Sequence, residues 1–91
     1  MLYDKNIGIR KKVDLMEQLT KSEREIAILV MEGLTNKEIA SKLFISVHTV
    51  KANLEHIYEK LAISNRVLLA VYVLKAIELK DRDVSKKIIR Q

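Results

Sequence analysis

The chain has no cysteine among its 91 residues. Disulfide frameworks and cysteine-based zinc or iron–sulfur centres are thereby excluded, and a reducing, cytoplasmic setting is expected. Proline is absent too, and glycine occurs only at Gly8 and Gly33. The backbone therefore carries almost no punctuation, which disfavours a loop-rich or many-stranded fold. Aromatic residues amount to three tyrosines and one phenylalanine. The longest apolar run, Val67–Leu74, is eight residues, against about 20 for a membrane span. Residues 1–19 lack the apolar stretch of a secretory signal, so no membrane association is expected. A glycine-rich phosphate loop, metal-ligand spacing and an obvious Ser–His–acid set are all missing, which argues against an enzyme and against a cofactor. His48 and His56 stand eight positions apart, not the three or four that pair two ligands on a helix, so no metal site is expected.

The residues present are helix formers. Leu, Ile, Lys, Glu and Ala dominate and 48% of the chain is apolar, enough for one compact core. The composition points to an all-α domain. Seventeen basic and twelve acidic residues leave a net charge of +5, which favours polyanionic partners, nucleic acid first. The excess is unevenly placed. Residues 1–19 and 20–79 each carry a net +1, and residues 80–91 carry +3. Bulk charge is thus a weak argument, and the placement of charges must decide.

Three helix starts organise the middle of the chain. Thr20-Lys21-Ser22-Glu23 and Thr35-Asn36-Lys37-Glu38 both fit a capping box, in which the Thr hydroxyl and the Glu carboxylate bond each other's backbone N–H. Ser46 offers an N-cap without the acidic reply. Gly33 suits the left-handed residue that ends a helix, with Leu34 as its apolar follower. A first helix is predicted over about 21–32, burying Ile26, Ala27, Leu29 and Val30. A second spans about 36–43, burying Ile39, Ala40 and Leu43. A third spans about 47–61, with Val50, Leu54, Ile57 and Leu61 on one stripe. After a break at Ala62-Ile63-Ser64, Asn65 caps a fourth helix of about 66–80. The division expected is an N-terminal arm (1–18), a central domain (19–80) and a C-terminal tail (81–91), with a helical stretch at Ile9–Gln18 and either a short final helix or a frayed end at Asp83–Ile89.

A short helix, a three-residue turn and a longer helix make a helix-turn-helix, which allows one helix to enter the DNA major groove. The outward face of the third helix then presents His48, Lys51, Ala52, Glu55 and Glu59. Lys51 is the only fixed cation in the middle of that face, and Ala52 is small enough to admit a base edge or a thymine methyl. Glu55 can accept from a cytosine amino group, yet it also repels phosphate, and a spectator role competes. Asn36, Lys37, Lys42, Thr49 and Lys60 surround this face as candidate phosphate donors.

These residues occur in a recognisable order. Leu19-Thr20-x-x-Glu23-x-Glu25, Gly33-Leu34-Thr35-Asn36-Lys37-Glu38-Ile39-Ala40, Leu43-Phe44-Ile45-Ser46-x-x-Thr49-Val50-Lys51, Ile57-Tyr58-x-Lys60-Leu61 and Asn65-Arg66 resemble the signature of LuxR-type (GerE-like) DNA-binding domains of bacterial transcriptional regulators. The resemblance runs ungapped over about residues 19–75. It implies a four-helix domain with the third helix in the major groove, Lys51, Ala52 and Glu55 toward bases, and Thr49 with the start of the second helix toward the DNA backbone. It also implies dimer contact through the fourth helix. Small stand-alone family members and the output domain of a response regulator both match this pattern. The chain departs from the pattern at Ala62, where glycine is usual, at Asn53, where histidine is frequent, at Glu55, where a basic or polar residue is common, and at Leu68, a position often acidic or polar.

Leu68 bears on assembly. If Leu69, Ala70, Val73 and Ile77 face the core, then Val67, Leu68, Val71, Tyr72 and Lys75 lie outside as a candidate homodimer face. Cover by the tail residues Val84, Ile88 and Ile89 is the competing reading. Asn65 and Arg66 are read as a cap and as the partner of a glutamate on the first helix, with DNA contact as the competing reading. The function expected is sequence-specific DNA binding in transcription regulation. The alternative is a protein-interaction module that engages RNA polymerase or another regulator.

Overall fold

The computed structural model describes the backbone of residues 16–89 and the side chains of residues 16–78. Among these residues there is no strand, and four helices follow in order: α1 (Lys21–Met31), α2 (Asn36–Leu43), α3 (Val47–Leu61) and α4 (Arg66–Ile89). The expected all-α, four-helix architecture is the one observed. Each of the four starts uses the anticipated cap. Thr20 Oγ1 accepts from the Glu23 N–H at 3.1 Å while Glu23 Oε1 accepts from the Thr20 N–H at 2.9 Å. Thr35 and Glu38 repeat the exchange at 3.1 and 2.8 Å. Ser46 Oγ accepts from the Thr49 N–H at 3.0 Å, and Asn65 Oδ1 from the Leu68 N–H at 2.9 Å. Each cap satisfies a backbone donor that the helix itself leaves unpaired, a contribution of about 1 kcal/mol.

The ends of the first three helices share one geometry. A residue with positive φ reverses the chain, and the next N–H bonds back to a carbonyl five residues earlier: Leu34 to Leu29, Ile45 to Ala40 and Ile63 to Tyr58, at 3.0–3.1 Å. Gly33 fills the first reversal at φ 93°, and its conformational freedom is what that turn requires. Phe44 (φ 60°) and Ala62 (φ 56°) fill the other two, although both carry a Cβ. The site at Ala62 therefore keeps its left-handed backbone without the glycine.

The helices enclose one core. Ile26 of α1, Ile39 of α2, Val50 and Ile57 of α3, and Leu69 and Val73 of α4 are fully buried. α1 is central and packs on α4 and α3, while α2 lies mainly on α3. This burial, at roughly 25 cal/mol per Å² of apolar surface, is the main force holding the bundle. Leu43, expected in the core, is only half-buried.

Two expectations for the fourth helix are corrected. α4 does not end near Lys80 but continues to Ile89, so the separate helix anticipated over 83–89 is the last part of α4. No glycine or proline follows Arg66, and nothing in the sequence stops the helix. Its rotation differs too. Leu69, Tyr72, Val73 and Ala76 face inward, with Tyr72 only 8% exposed, whereas Ala70 and Ile77 are half-buried. At 100° per residue this turns the helix by roughly 60° from the expected setting. Burial pushes the Tyr72 hydroxyl above its ordinary pKa. Of the expected arm, residues 16 and 17 are helical and residue 18 is a turn; residues 1–15 lie outside the described residues, as do the side chains of Val84, Ile88 and Ile89.

Candidate nucleic-acid interface

The α2–α3 pair is built so that α3 shows one complete face to solvent. Its inner stripe, Val50, Leu54, Ile57 and Leu61, is buried. Opposite it, His48, Lys51, Ala52, Glu55, His56 and Glu59 are exposed. A helix of 15 residues is about 22 Å long, and the B-DNA major groove accepts such a helix. Thr49 sits at its start, with its hydroxyl 2.9 Å from Ser46 Oγ. Lys37 and Lys42 of α2 are exposed. No group of residues suited to a metal ion occurs among the described residues.

One cation of the candidate set, Lys60, and the neighbouring Arg66 are both held within the bundle. Lys60, expected toward phosphate, instead donates from Nζ to Glu23 Oε1 at 2.8 Å. Its position in the last turn of α3 brings it against α1. Glu23 thus serves twice, as the capping carboxylate of α1 and as the ion-pair partner of α3. Burial alone raises the pKa of this carboxyl. The hydrogen bonds from Lys60 and the Thr20 backbone, with the charges of Lys60 and His56, outweigh that and leave it below its ordinary value. Arg66 is the second. Its Nη1 donates to Asn36 Oδ1 and its Nη2 to the Leu34 carbonyl, both at 2.6 Å. It therefore pairs not with a glutamate of α1, as expected, but with the α1–α2 turn and the first residue of α2. This fork links the start of α4 to the start of α2. It occupies the amide oxygen of Asn36, leaving the amide N–H donors of Asn36 without a protein partner among the described residues.

Comparison with known proteins decides the assignment. The GerE description, bacterial regulatory proteins of the luxR family, matches residues 17–73, the stretch from just before the α1 cap into the first part of α4. The chain belongs to the luxR family. This LuxR-type domain is 52% identical over 56 residues to the transcriptional regulatory protein LiaR of Bacillus subtilis, covering 62% of the chain and 26% of LiaR. It is 38% identical over 64 residues to the response regulator protein VraR of Staphylococcus aureus, covering 70% of the chain and 31% of VraR. The LuxR-type domain thus spans about a quarter to a third of the length of these relatives. It is a DNA-binding transcriptional regulator domain, and no helix among its described residues is long and apolar enough to cross a membrane.

The structure also shows what sequence patterning overlooked in this LuxR-type domain. On the outer side of α4, Val67 (71%), Leu68 (45%), Val71 (42%) and Leu74 (47%) are exposed beside Lys75. Leu74 replaces Tyr72 in the expected apolar stripe. The spacing 67, 71, 74 was a visible signal, since residues three and four apart share a helix face. Phe44, the only phenylalanine, is 93% exposed in the helix-turn-helix turn, a position that periodicity does not describe.

Proposed function

We propose that the domain reads a specific DNA sequence through α3, as a homodimer joined by the outer face of α4, and so regulates transcription in the bacterial cytoplasm. The observation that carries this reading is the exposed face of α3, where Lys51 and small Ala52 stand over a fully buried stripe. Lys51 donates to a base edge, preferentially guanine O6 and N7, and Ala52 permits close approach. His48 and Glu55 flank them; Glu55 accepts from a cytosine amino group where one is present and otherwise disfavours neighbouring phosphate. Asn36, Lys37, Lys42 and Thr49 bond the DNA backbone and set the register. Lys60 is left out of this set, because its charge is already paired with Glu23.

The dimer rests on Val67, Leu68, Val71 and Leu74 with Lys75 at the edge. Four exposed apolar residues on one helix form a surface that a second copy covers by two-fold symmetry. The operator then consists of two related half-sites.

The test is selection from a random duplex pool at near-physiological salt, with Lys51→Ala in parallel. A two-fold or tandem motif enriched by the parent and lost in the variant is the expected result. Lys51→Ala is expected to cost about 1–3 kcal/mol at its base pair. Equal enrichment by both proteins refutes the placement of α3. The same apolar surface on α4 favours a second reading, contact with RNA polymerase or another regulator. Leu68→Glu separates the two by sedimentation: a shift from dimer to monomer with weakened operator binding supports the homodimer. A parent that is monomeric on its operator refutes it.

A further inference from the structure

Phe44 is a liability to the fold twice over. Its ring is the most exposed large hydrophobic side chain among the described residues, at 93%. Its backbone lies in the left-handed region, at φ 60° and ψ 44°, which L-residues other than asparagine and aspartate rarely adopt. Glycine would satisfy the same reversal, as Gly33 does at the end of α1. The reversal is fixed by the Ile45 N–H bond to the Ala40 carbonyl at 3.0 Å, and it throws the Phe44 side chain out of the turn, away from both helices. Packing within the chain gains nothing from this ring. Strain and exposure retained together at one residue direct attention to a contact made outside the chain.

The neighbours of Phe44 indicate what that contact is. Lys42 precedes it by two residues, and Ser46, His48 and Thr49 follow at the start of α3, all exposed. Val47, another partly exposed apolar residue, lies between them. The ring is therefore flanked on both sides by groups assigned to DNA, whereas the apolar stripe offered to a second copy lies on α4. A phenyl ring has no hydrogen-bond donor for phosphate or for the polar groups of a base edge, but its faces and edge pack on deoxyribose.

We propose that Phe44 packs against the sugars of the DNA backbone where α3 enters the major groove, acting as an apolar wedge that seats the recognition helix. The inference rests on the reading of α3 as the DNA-binding helix. An apolar contact with sugar releases no counterions, so its contribution to binding is independent of salt, unlike that of a lysine. It is also indifferent to sequence, so it raises affinity for all duplexes alike.

The experiment compares Phe44→Ala, Phe44→Gly and Lys51→Ala with the parent by fluorescence anisotropy. The probe is a labelled duplex recovered by the parent from the random pool, over a range of salt concentrations. Both Phe44 variants are expected to bind about tenfold more weakly at every salt concentration, as expected for uncovering part of one aromatic side chain, with the salt slope unchanged. Phe44→Gly is expected at the same time to unfold at a higher temperature than Phe44→Ala, because it removes the Cβ strain. A Phe44→Gly variant that is more stable than Phe44→Ala yet binds as weakly is a signature that a merely structural residue does not produce. Parental affinity in both Phe44 variants, with Lys51→Ala weakened, overturns the proposal and leaves the DNA reading intact. Parental affinity in all three, or a pool from which no duplex is recovered, overturns both.

Discussion

Replacing Ala62 by glycine is expected to stabilise the domain, and the size of the gain follows from the end of α3. Ala62 sits at φ 56° and ψ 44°, held there by the bond from the Ile63 N–H to the Tyr58 carbonyl at 3.0 Å and from its own N–H to the Glu59 carbonyl at 3.2 Å. A Cβ in that region costs about 1–2 kcal/mol. Glycine removes this cost but enlarges the conformational freedom of the unfolded chain, which offsets about 0.4–1 kcal/mol. Because Ala62 is exposed, its methyl group contributes little packing that glycine would forfeit. The net expectation is a gain of about 0.5–1 kcal/mol, or roughly 2–8 °C in Tm for a domain of this size. Thermal and urea unfolding of Ala62→Gly measure it, with Gly33→Ala as the mirror experiment. A Cβ at Gly33 meets nothing within 4 Å, so the loss there isolates the backbone term and should approach 1 kcal/mol. Affinity for the selected duplex should be unchanged in Ala62→Gly, since the residue lies at the far end of α3 from Lys51. A neutral or destabilising Ala62→Gly, with Gly33→Ala destabilising as expected, would refute the left-handed termination of α3.

Two further predictions concern the ties between helices. Glu23 has a lowered pKa in the folded state, so its contribution is present in full above its ordinary value of 4.5 and is lost as pH falls through the lowered folded value. Glu23→Gln keeps a capping acceptor but loses the ion pair with Lys60. The stability difference from the parent should be about 1 kcal/mol at pH 7 and should shrink below pH 4.5; a difference constant from pH 7 to pH 3 contradicts the assignment. Arg66→Met removes both bonds from α4 to the α1–α2 turn and should cost about 1–3 kcal/mol, with Arg66→Lys recovering part. Amide NMR shifts centred on Leu34–Asn36 identify the site, and shifts confined to α1 glutamates would count against it.

The physical origin of the Arg66 and Lys60 contacts explains why they escaped sequence reading. The caps at Thr20, Thr35, Ser46 and Asn65 join residues only three positions apart, so the sequence spells out both partners. The turn at Gly33 and the buried stripe of α3 are equally local, set by backbone preference and by the 3.6-residue period. Lys60 and Glu23 are 37 positions apart, and Arg66 and Asn36 are 30 apart. A long cation can reach many acceptors, and only the packed bundle selects one. The same applies to α4. Its run of consecutive apolar residues, Val67–Leu74, has no single helical stripe, and its pattern suits more than one rotation. Packing against α1 chose the rotation that buries Tyr72 and exposes Leu74.

The order of the helices, their caps, the helix-turn-helix and the exposed face of α3 were therefore determined by the sequence alone, because each depends on interactions within one or two helical turns. Tertiary structure decided which cations remain available to DNA, which side of α4 faces outward, and that Phe44 and Ala62 hold strained reversals. Those outcomes depend on distant segments meeting in space, where the competition among partners is settled by the bundle as a whole.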